Sequence, residues 1–163
     1  MKYIFCLILI AVSLAAMPHD ARAEGVFYAG MGIGKILAPE HLRHDAVICL
    51  CMECGAGISS LNRFEMAAHF KGLIYNQNKN ISILLDNRFM ISDNNRSVNP
   101  YMVLSFGISN IPENVGWESI VHFGFGFDTL IRNNTGSYYE LRVSAAESKC
   151  TTLEICGGLK TKF

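Results

Sequence analysis

The sequence has no surplus of charge of either sign: 14 lysines and arginines balance 14 aspartates and glutamates, and charged residues make up only 17% of the 163. A general nucleic-acid-binding protein would carry a basic surplus, so we expect no nucleic-acid partner. Half of the residues are hydrophobic, which is too many for an intrinsically disordered chain. The composition therefore indicates a folded protein and favours association with a membrane.

Long hydrophobic runs are also absent after the N-terminal region, which excludes a membrane-spanning helix there. The one long apolar stretch, residues 3–16, follows Lys2 and precedes the small-residue site Ala-Arg-Ala at 21–23. An apolar stretch of about 15 residues falls short of the ~20 that cross the hydrocarbon layer. The pattern is typical of a secretory signal peptide over residues 1–23, and it predicts one mature domain over residues 24–163.

Instead of helical periodicity, the chain shows a repeated alternation of apolar and polar residues, which is typical of β-strands. Each alternating segment has about the 9–11 residues that a tilted membrane strand needs. Eight such strands make the smallest barrel whose side chains fill its own interior. The sequence therefore predicts an all-β, eight-stranded, antiparallel up-and-down barrel. Its strands are predicted at residues 26–36, 47–58, 64–75, 81–89, 100–109, 119–130, 137–145 and 153–163.

Alternation alone does not show which face points outward, because a soluble lipocalin-like barrel has the same period with its apolar face inward. In such a soluble periplasmic ligand-binding barrel, Phe123, Phe125 and Phe127 would line an internal cavity. Glycines that concentrate on the polar face favour a narrow polar lumen instead, and thus a transmembrane barrel. Aromatic residues near the strand ends resemble the interfacial girdles of such barrels. They are Phe27, Tyr28, Tyr75, Tyr101, Trp117, Tyr138, Tyr139 and Phe163.

Two segments frame the predicted barrel: residues 27–34 (FYAGMGIG) and residues 158–163 (GLKTKF). The first is similar to the opening strand of small OmpA-type barrels and opacity-type surface proteins of bacteria. The second resembles the closing strand of bacterial outer-membrane barrels, in which Leu159, Thr161 and Phe163 would form the membrane-insertion signal. The resemblance implies a monomer in the bacterial outer membrane, in contact with outer-membrane lipids and, during assembly, with the outer-membrane insertion machinery.

The polar faces of the predicted strands carry ionisable residues of both signs. Burying an unpaired charge is costly, so charges of mixed sign inside a small barrel should pair and hydrogen-bond. We expect them to form an ionic plug that closes the lumen to solutes. A path or gate for protons or small ions is the alternative. The predicted lumen charge network comprises Glu53, Glu65, His69, Lys71, Asp86, Arg88, His122, Asp128, Glu140, Arg142, Glu154 and Lys160.

Cysteines and histidines over residues 41–54 follow the pattern H-x2-H-x4-C-x-C-x2-C, whose ligands zinc prefers. A regular strand places Cys54 on the opposite face from Cys49 and Cys51, however, so we expect no metal site. A disulfide of Cys49 or Cys51 with Cys156 is a candidate, because all three face the predicted lumen. Two strand spacings of roughly 9.6 Å exceed the usual Cα reach of a disulfide, ~7 Å. Small buried thiols are therefore the favoured interpretation.

Two groups of outer-membrane barrel enzymes share the predicted fold. The lipid A deacylases use a His-x-Ser pair late in the chain, where this sequence has arginine in place of histidine at residues 142–144. The lipid A palmitoyltransferases use a loop histidine with an Asp-Ser pair. His41 and His44 lie in the first connector, but residues 76–80 contain no Asp-Ser. We therefore expect a structural or surface-contact protein without a cofactor rather than an enzyme. A lipid A deacylase or acyltransferase is the alternative.

Overall fold

The computed structural model describes residues 23–37, 47–60, 64–75, 78–91, 97–110, 116–132, 134–147 and 151–163. Almost all of the predicted signal peptide, together with His41 and His44, lies outside these residues. The described residues contain no helical segment with the length and hydrophobicity of a membrane span.

Eight strands follow one another along the chain and close into an antiparallel barrel in sequence order, with β1 paired to both β2 and β8. All eight predicted strands are present, so the predicted fold class is confirmed. The strands are β1 (Ala23–Leu37), β2 (Val47–Ser60), β3 (Phe64–Tyr75), β4 (Asn78–Met90), β5 (Val98–Asn110), β6 (Trp117–Arg132), β7 (Thr135–Ala146) and β8 (Thr151–Lys162).

Strand β4 begins three residues earlier than the sequence predicted, because the polar run Asn-Lys-Asn at 78–80 continues the strand. Asn80 faces the lumen, where its side-chain oxygen accepts a hydrogen bond from Ser109 Oγ at 2.6 Å. Ser82 Oγ lies 2.8 Å from the same serine oxygen. Asn80, with hydrogen-bond partners inside the barrel, therefore lies in a strand where the composition suggested a turn.

The outer face of the barrel is apolar and the inner face is polar. Phe123, Phe125 and Phe127 point outward, and the side chain of Phe125 is 51% exposed. They do not line an internal cavity, which overturns the soluble ligand-binding arrangement. Because alternate residues point to opposite faces, one strand pattern produces both surfaces. The distribution is that of a transmembrane β-barrel.

Three of the aromatic residues predicted for the interfacial girdles are in fact inside the barrel. Tyr28, Tyr101 and Tyr138 are completely buried. The prediction was wrong because it considered how close these tyrosines lie to strand ends and ignored the face on which alternation puts them. Glycines on the same face provide the space for their rings: a Cβ at Gly126 would lie 2.6 Å from Cζ of Tyr101.

Of the other aromatic residues predicted for the girdles, four point outward, and the side chain of one is not described. The side chain of Tyr75 lies outside the described part of the chain. The outward-facing aromatic residues are Phe27, Trp117, Tyr139 and Phe163.

Candidate functional site

The lumen is the candidate site, and alternation along the strands places all twelve predicted ionisable residues in it. None of the twelve is more than 9% exposed. Burying this many charged groups requires that they hold one another in place. Their contacts divide the lumen into a central cluster and two end clusters.

The central cluster is built around Arg142 of β7. Its Nη1 donates a hydrogen bond to Oε2 of Glu53 on β2 at 2.8 Å, and its Nε and Nη2 contact Glu140. Glu140 is shared with Arg88 of β4, whose Nη2 lies 2.8 Å from Oε1. Two guanidinium groups and two carboxylates therefore alternate across the barrel; Arg142 makes charge-assisted hydrogen bonds, and Arg88 contacts Glu140 as an ion pair.

His69 of β3 connects this cluster to a third carboxylate. Its Nδ1 lies 2.7 Å from Oδ2 of Asp86, and its Nε2 lies 3.5 Å from Oε2 of Glu53. The imidazole ring is thus held between two carboxylates that come from different strands.

Three tyrosines complete the central cluster, and the sequence analysis did not assign them to it. Each hydroxyl donates a hydrogen bond to a buried carboxylate. The carboxylate thus has a neutral donor in addition to its cationic partners. The bonds join Tyr28 to Asp86 at 2.7 Å, Tyr101 to Glu140 at 2.6 Å, and Tyr138 to Glu53 at 2.7 Å.

Arg88 also lies over the face of the Tyr28 ring, with its guanidinium carbon 4.0 Å from the ring centroid. A cation in this position is attracted by the ring quadrupole. Strand alternation would have placed these tyrosines in the lumen. Tyr28 follows the outward-facing Phe27, and Tyr138 precedes the outward-facing Tyr139.

One end cluster lies where β1 begins and β8 ends. Nζ of Lys160 donates a hydrogen bond to Oε2 of Glu65 at 2.6 Å and also contacts Asp128. Lys162, which alternation also places on the polar face, reaches Oε1 of Glu65 at 3.4 Å. Two lysines thus offset two carboxylates at this end of the lumen.

The opposite end cluster is an ion pair between Lys71 of β3 and Glu154 of β8. Thr152 Oγ1 donates a hydrogen bond to Oε1 of Glu154 at 2.6 Å, and Ser144 Oγ donates to the same oxygen at 3.3 Å. The carboxylate therefore has one cation and two hydroxyl groups as partners.

His122 is buried in the lumen but does not join the predicted network. Within the described residues, neither of its ring nitrogens has a hydrogen-bond partner. The residues opposite it in register are Ser105 on β5 and Ser144 on β7, so no acid lies beside it on the adjoining strands. Strand alternation correctly placed His122 on the lumen face. Which residues lie opposite it depends on the register of β6 with β5 and β7.

The cysteines of the candidate disulfide, Cys49, Cys51 and Cys156, are buried free thiols. Cys54 is exposed on the outer face, as strand alternation predicts. Sγ of Cys51, Sγ of Cys156 and a carboxylate oxygen of Glu53 lie within 4.8 Å of one another.

The residues of the predicted insertion signal lie at the seam between β8 and β1. Leu159 and Phe163 point outward, and Thr161 Oγ1 lies 3.5 Å from Thr135 Oγ1. The backbone of Phe163 exchanges hydrogen bonds of 2.8 and 2.9 Å with Gly25. The last residue is therefore tied to the first strand.

Where the deacylase pattern has histidine, the structure has Arg142 in the central cluster. No hydrogen bond between a serine and a histidine is present among the residues that the structure describes. The lumen can neutralise and immobilise charge, and nothing in these contacts activates a nucleophile.

No protein-family model matches the sequence, and no curated protein sequence is significantly similar to it. Its structure is similar to Neisserial surface protein A, NspA, with a TM-score of 0.71 and 13% identity over 87% of this chain and 99% of the other. It is also similar to Ail, the attachment invasion locus protein of Yersinia pestis, with a TM-score of 0.54 and 12% identity over 87% and 99% of the two chains. The chain therefore has the fold of these small eight-stranded β-barrels.

Proposed function

We propose that this chain is an integral protein of the bacterial outer membrane, with a lumen closed by charged side chains and a structural or surface-contact role. The apolar outer face supports a lipid environment, since a soluble barrel would not expose such a surface. The fold shared with NspA and Ail supports the same location. The chain acts as a monomer, surrounded by outer-membrane lipids, after assembly by the outer-membrane insertion machinery.

The observation that carries the plug is the central cluster, in which Arg142 and Arg88 bridge carboxylates from β2 and β7. The Arg142–Glu53 and Arg88–Glu140 pairs join strands that are not neighbours in the barrel, so their side chains occupy the space through which a solute would pass. Charges removed from water are retained only where they have partners, and this cluster supplies them with ion pairs and tyrosine hydroxyls. Such a barrel acts through its outer surface rather than through its lumen.

The location is tested by membrane fractionation together with electrophoresis of unboiled and boiled samples. We expect the protein in the outer-membrane fraction, with a mobility that changes on boiling because the folded barrel resists detergent. Recovery in the soluble periplasmic fraction would contradict the proposal.

A path for protons or small ions is the competing role. His122 and Ser105 favour it, because their polar side-chain atoms are buried without hydrogen-bond partners among the described residues. Water molecules at these atoms would make that part of the lumen hydrated.

Planar-bilayer recordings combined with thermal melting of Arg142→Ala distinguish the two roles. The plug predicts no steady current through the wild-type protein and a clear loss of stability in the variant, because Glu53 and Glu140 lose their shared cation. Unchanged melting together with new or altered ion current would reject the plug in favour of the path. Arg142→Lys, which keeps the positive charge, is the matched control and should lose less stability.

A further inference from the structure

The three buried cysteines lie together in the lumen and take no part in the charge network. Cys49 and Cys51 of β2 and Cys156 of β8 pack with Leu73. Cys51 and Cys156 are both opposite Gly32 in register, one on each side of β1. The two thiols therefore approach each other over a residue that has no side chain.

Gly32 is required for this approach. A Cβ at that position would lie 2.2 Å from the backbone oxygen of Ile155 and 2.8 Å from both Cα and Sγ of Cys156, which is closer than real Cβ contacts come. With glycine in place, the two sulfurs lie within 4.8 Å of each other. Both cysteines are almost completely buried, so water does not compete for the space between them.

This arrangement is poorly suited to a direct disulfide. The sulfurs of a disulfide are about 2.05 Å apart and its Cα atoms lie within ~7 Å, whereas two strand spacings amount to roughly 9.6 Å. One atom placed between the sulfurs removes the difficulty. Metal–thiolate bonds of about 2.3 Å on either side span at most ~4.6 Å, and the two sulfurs lie within 4.8 Å of each other.

The surroundings favour a soft cation with two sulfur ligands. The nearby Glu53 already accepts hydrogen bonds from Arg142 at 2.8 Å and from Tyr138 at 2.7 Å, so it is not free to complete a site for a harder ion. Thiolate ligands select copper(I), zinc and iron–sulfur clusters, and zinc sites and these clusters use about four protein ligands, so a pair of thiolates favours copper(I).

We propose that Cys51 and Cys156 bind one copper(I) ion in a two-coordinate dithiolate site. The two thiols release two protons to water, and two sulfur–copper bonds form with no change of oxidation state. The resulting unit has a net charge of −1 and lies beside the Arg142–Glu53 ion pair. Cys49 packs against the site without being needed as a ligand.

The test is an anaerobic copper(I) titration of the folded full-length barrel in detergent, in competition with a chromophoric copper(I) chelator. We expect one equivalent to bind to the wild type. Cys51→Ser and Cys156→Ser should each weaken binding at least about 100-fold, since the loss of supporting residues alone costs about 10–100-fold. Cys54→Ser removes an exposed thiol on the outer face and is the matched control, with wild-type affinity expected.

X-ray absorption of the copper-loaded wild type requires no variant and should show two sulfur ligands.

Wild-type affinity in both cysteine variants would overturn the proposal. So would a copper coordination shell of nitrogen or oxygen. Peptide mapping that finds a Cys51–Cys156 disulfide in the folded protein would also reject it, because that bond consumes both ligands.

Discussion

At the scale of single residues, removing one member of a buried ion pair destabilises the barrel chiefly because the other member stays buried without a counter-charge. The Lys71–Glu154 pair shows this most simply, because Lys71 is the one cation in direct contact with Glu154 among the described residues. The carboxylate has hydroxyl partners as well, but hydroxyls do not neutralise its charge. The pair is therefore suited to a comparison of single and double substitutions.

Lys71→Met should destabilise the barrel by about 3–5 kcal/mol, because it leaves the Glu154 carboxylate buried without a cation. The double variant Lys71→Met/Glu154→Leu should lose less, since both charges are replaced by apolar groups of similar size. Urea unfolding in lipid vesicles measures both free energies. A double variant less stable than the single one would show that the pair itself, rather than the stranded charge, contributes the stability.

Tyr28→Phe removes one hydroxyl and leaves the Asp86 carboxylate with one donor fewer. A hydrogen bond to a charged group contributes about 1.5–3 kcal/mol, so we expect a loss of that size in the free energy of unfolding. Tyr139→Phe is the control, because the ring of Tyr139 points outward, and it should change stability little. Equal effects of the two variants would mean that Tyr28 contributes through its ring alone.

At the scale of the element, alternation determines which side chains each strand presents to lipid and which to the lumen. Strand β6 shows both faces clearly: Phe123, Phe125 and Phe127 point outward, while His122 and Asp128 are buried. A shift of one residue in the register would exchange the two sets. The alternation is thus a strong constraint on the strand.

Phe125→Arg should reduce stability by about 2–4 kcal/mol and impair assembly, because it places a charge at the middle of the lipid-facing side of β6. Phe125→Leu keeps an apolar side chain and serves as the control. The fraction of protein with boiling-dependent mobility after refolding into vesicles measures assembly. Normal folding of Phe125→Arg would mean that this face does not contact lipid.

At the scale of the whole molecule, the barrel depends on the seam between its first and last strands. Twelve residues of β8 pair with β1, from Thr151↔Leu37 to Lys162↔Val26. Beyond the last of these pairs, Phe163 and Gly25 exchange two backbone hydrogen bonds. An open strand edge is not tolerated in the hydrocarbon region, so closure of this seam is a condition for insertion.

Deletion of Phe163 should leave a protein that is exported but poorly inserted, since it removes the final backbone contacts to β1 and an exposed aromatic side chain. Phe163→Ala keeps the backbone and separates the two contributions. Outer-membrane fractionation and boiling-dependent mobility measure the outcome. A wild-type amount of folded barrel after the deletion would contradict a role of this residue in insertion.

The number of strands, their order and the face on which most side chains lie were predictable from the amino-acid sequence alone. These follow from local alternation, which is repeated in every segment of the chain and needs no knowledge of distant residues. It also identified the twelve ionisable residues that the structure buries in the lumen. The start of β4 was missed because the polar residues 78–80 resemble a turn until the partner of Asn80 on the adjacent strand β5 is known.

Which of these residues contact one another depends on the folded barrel and does not follow from local alternation. Glu53 and Arg142 are 89 positions apart, and the strands that carry them do not adjoin in the barrel. Their contact depends on closure, shear and register, which are properties of all eight strands together. For the same reason, the structure brought Cys51 to Cys156 over Gly32 and left His122 without a partner among the described residues.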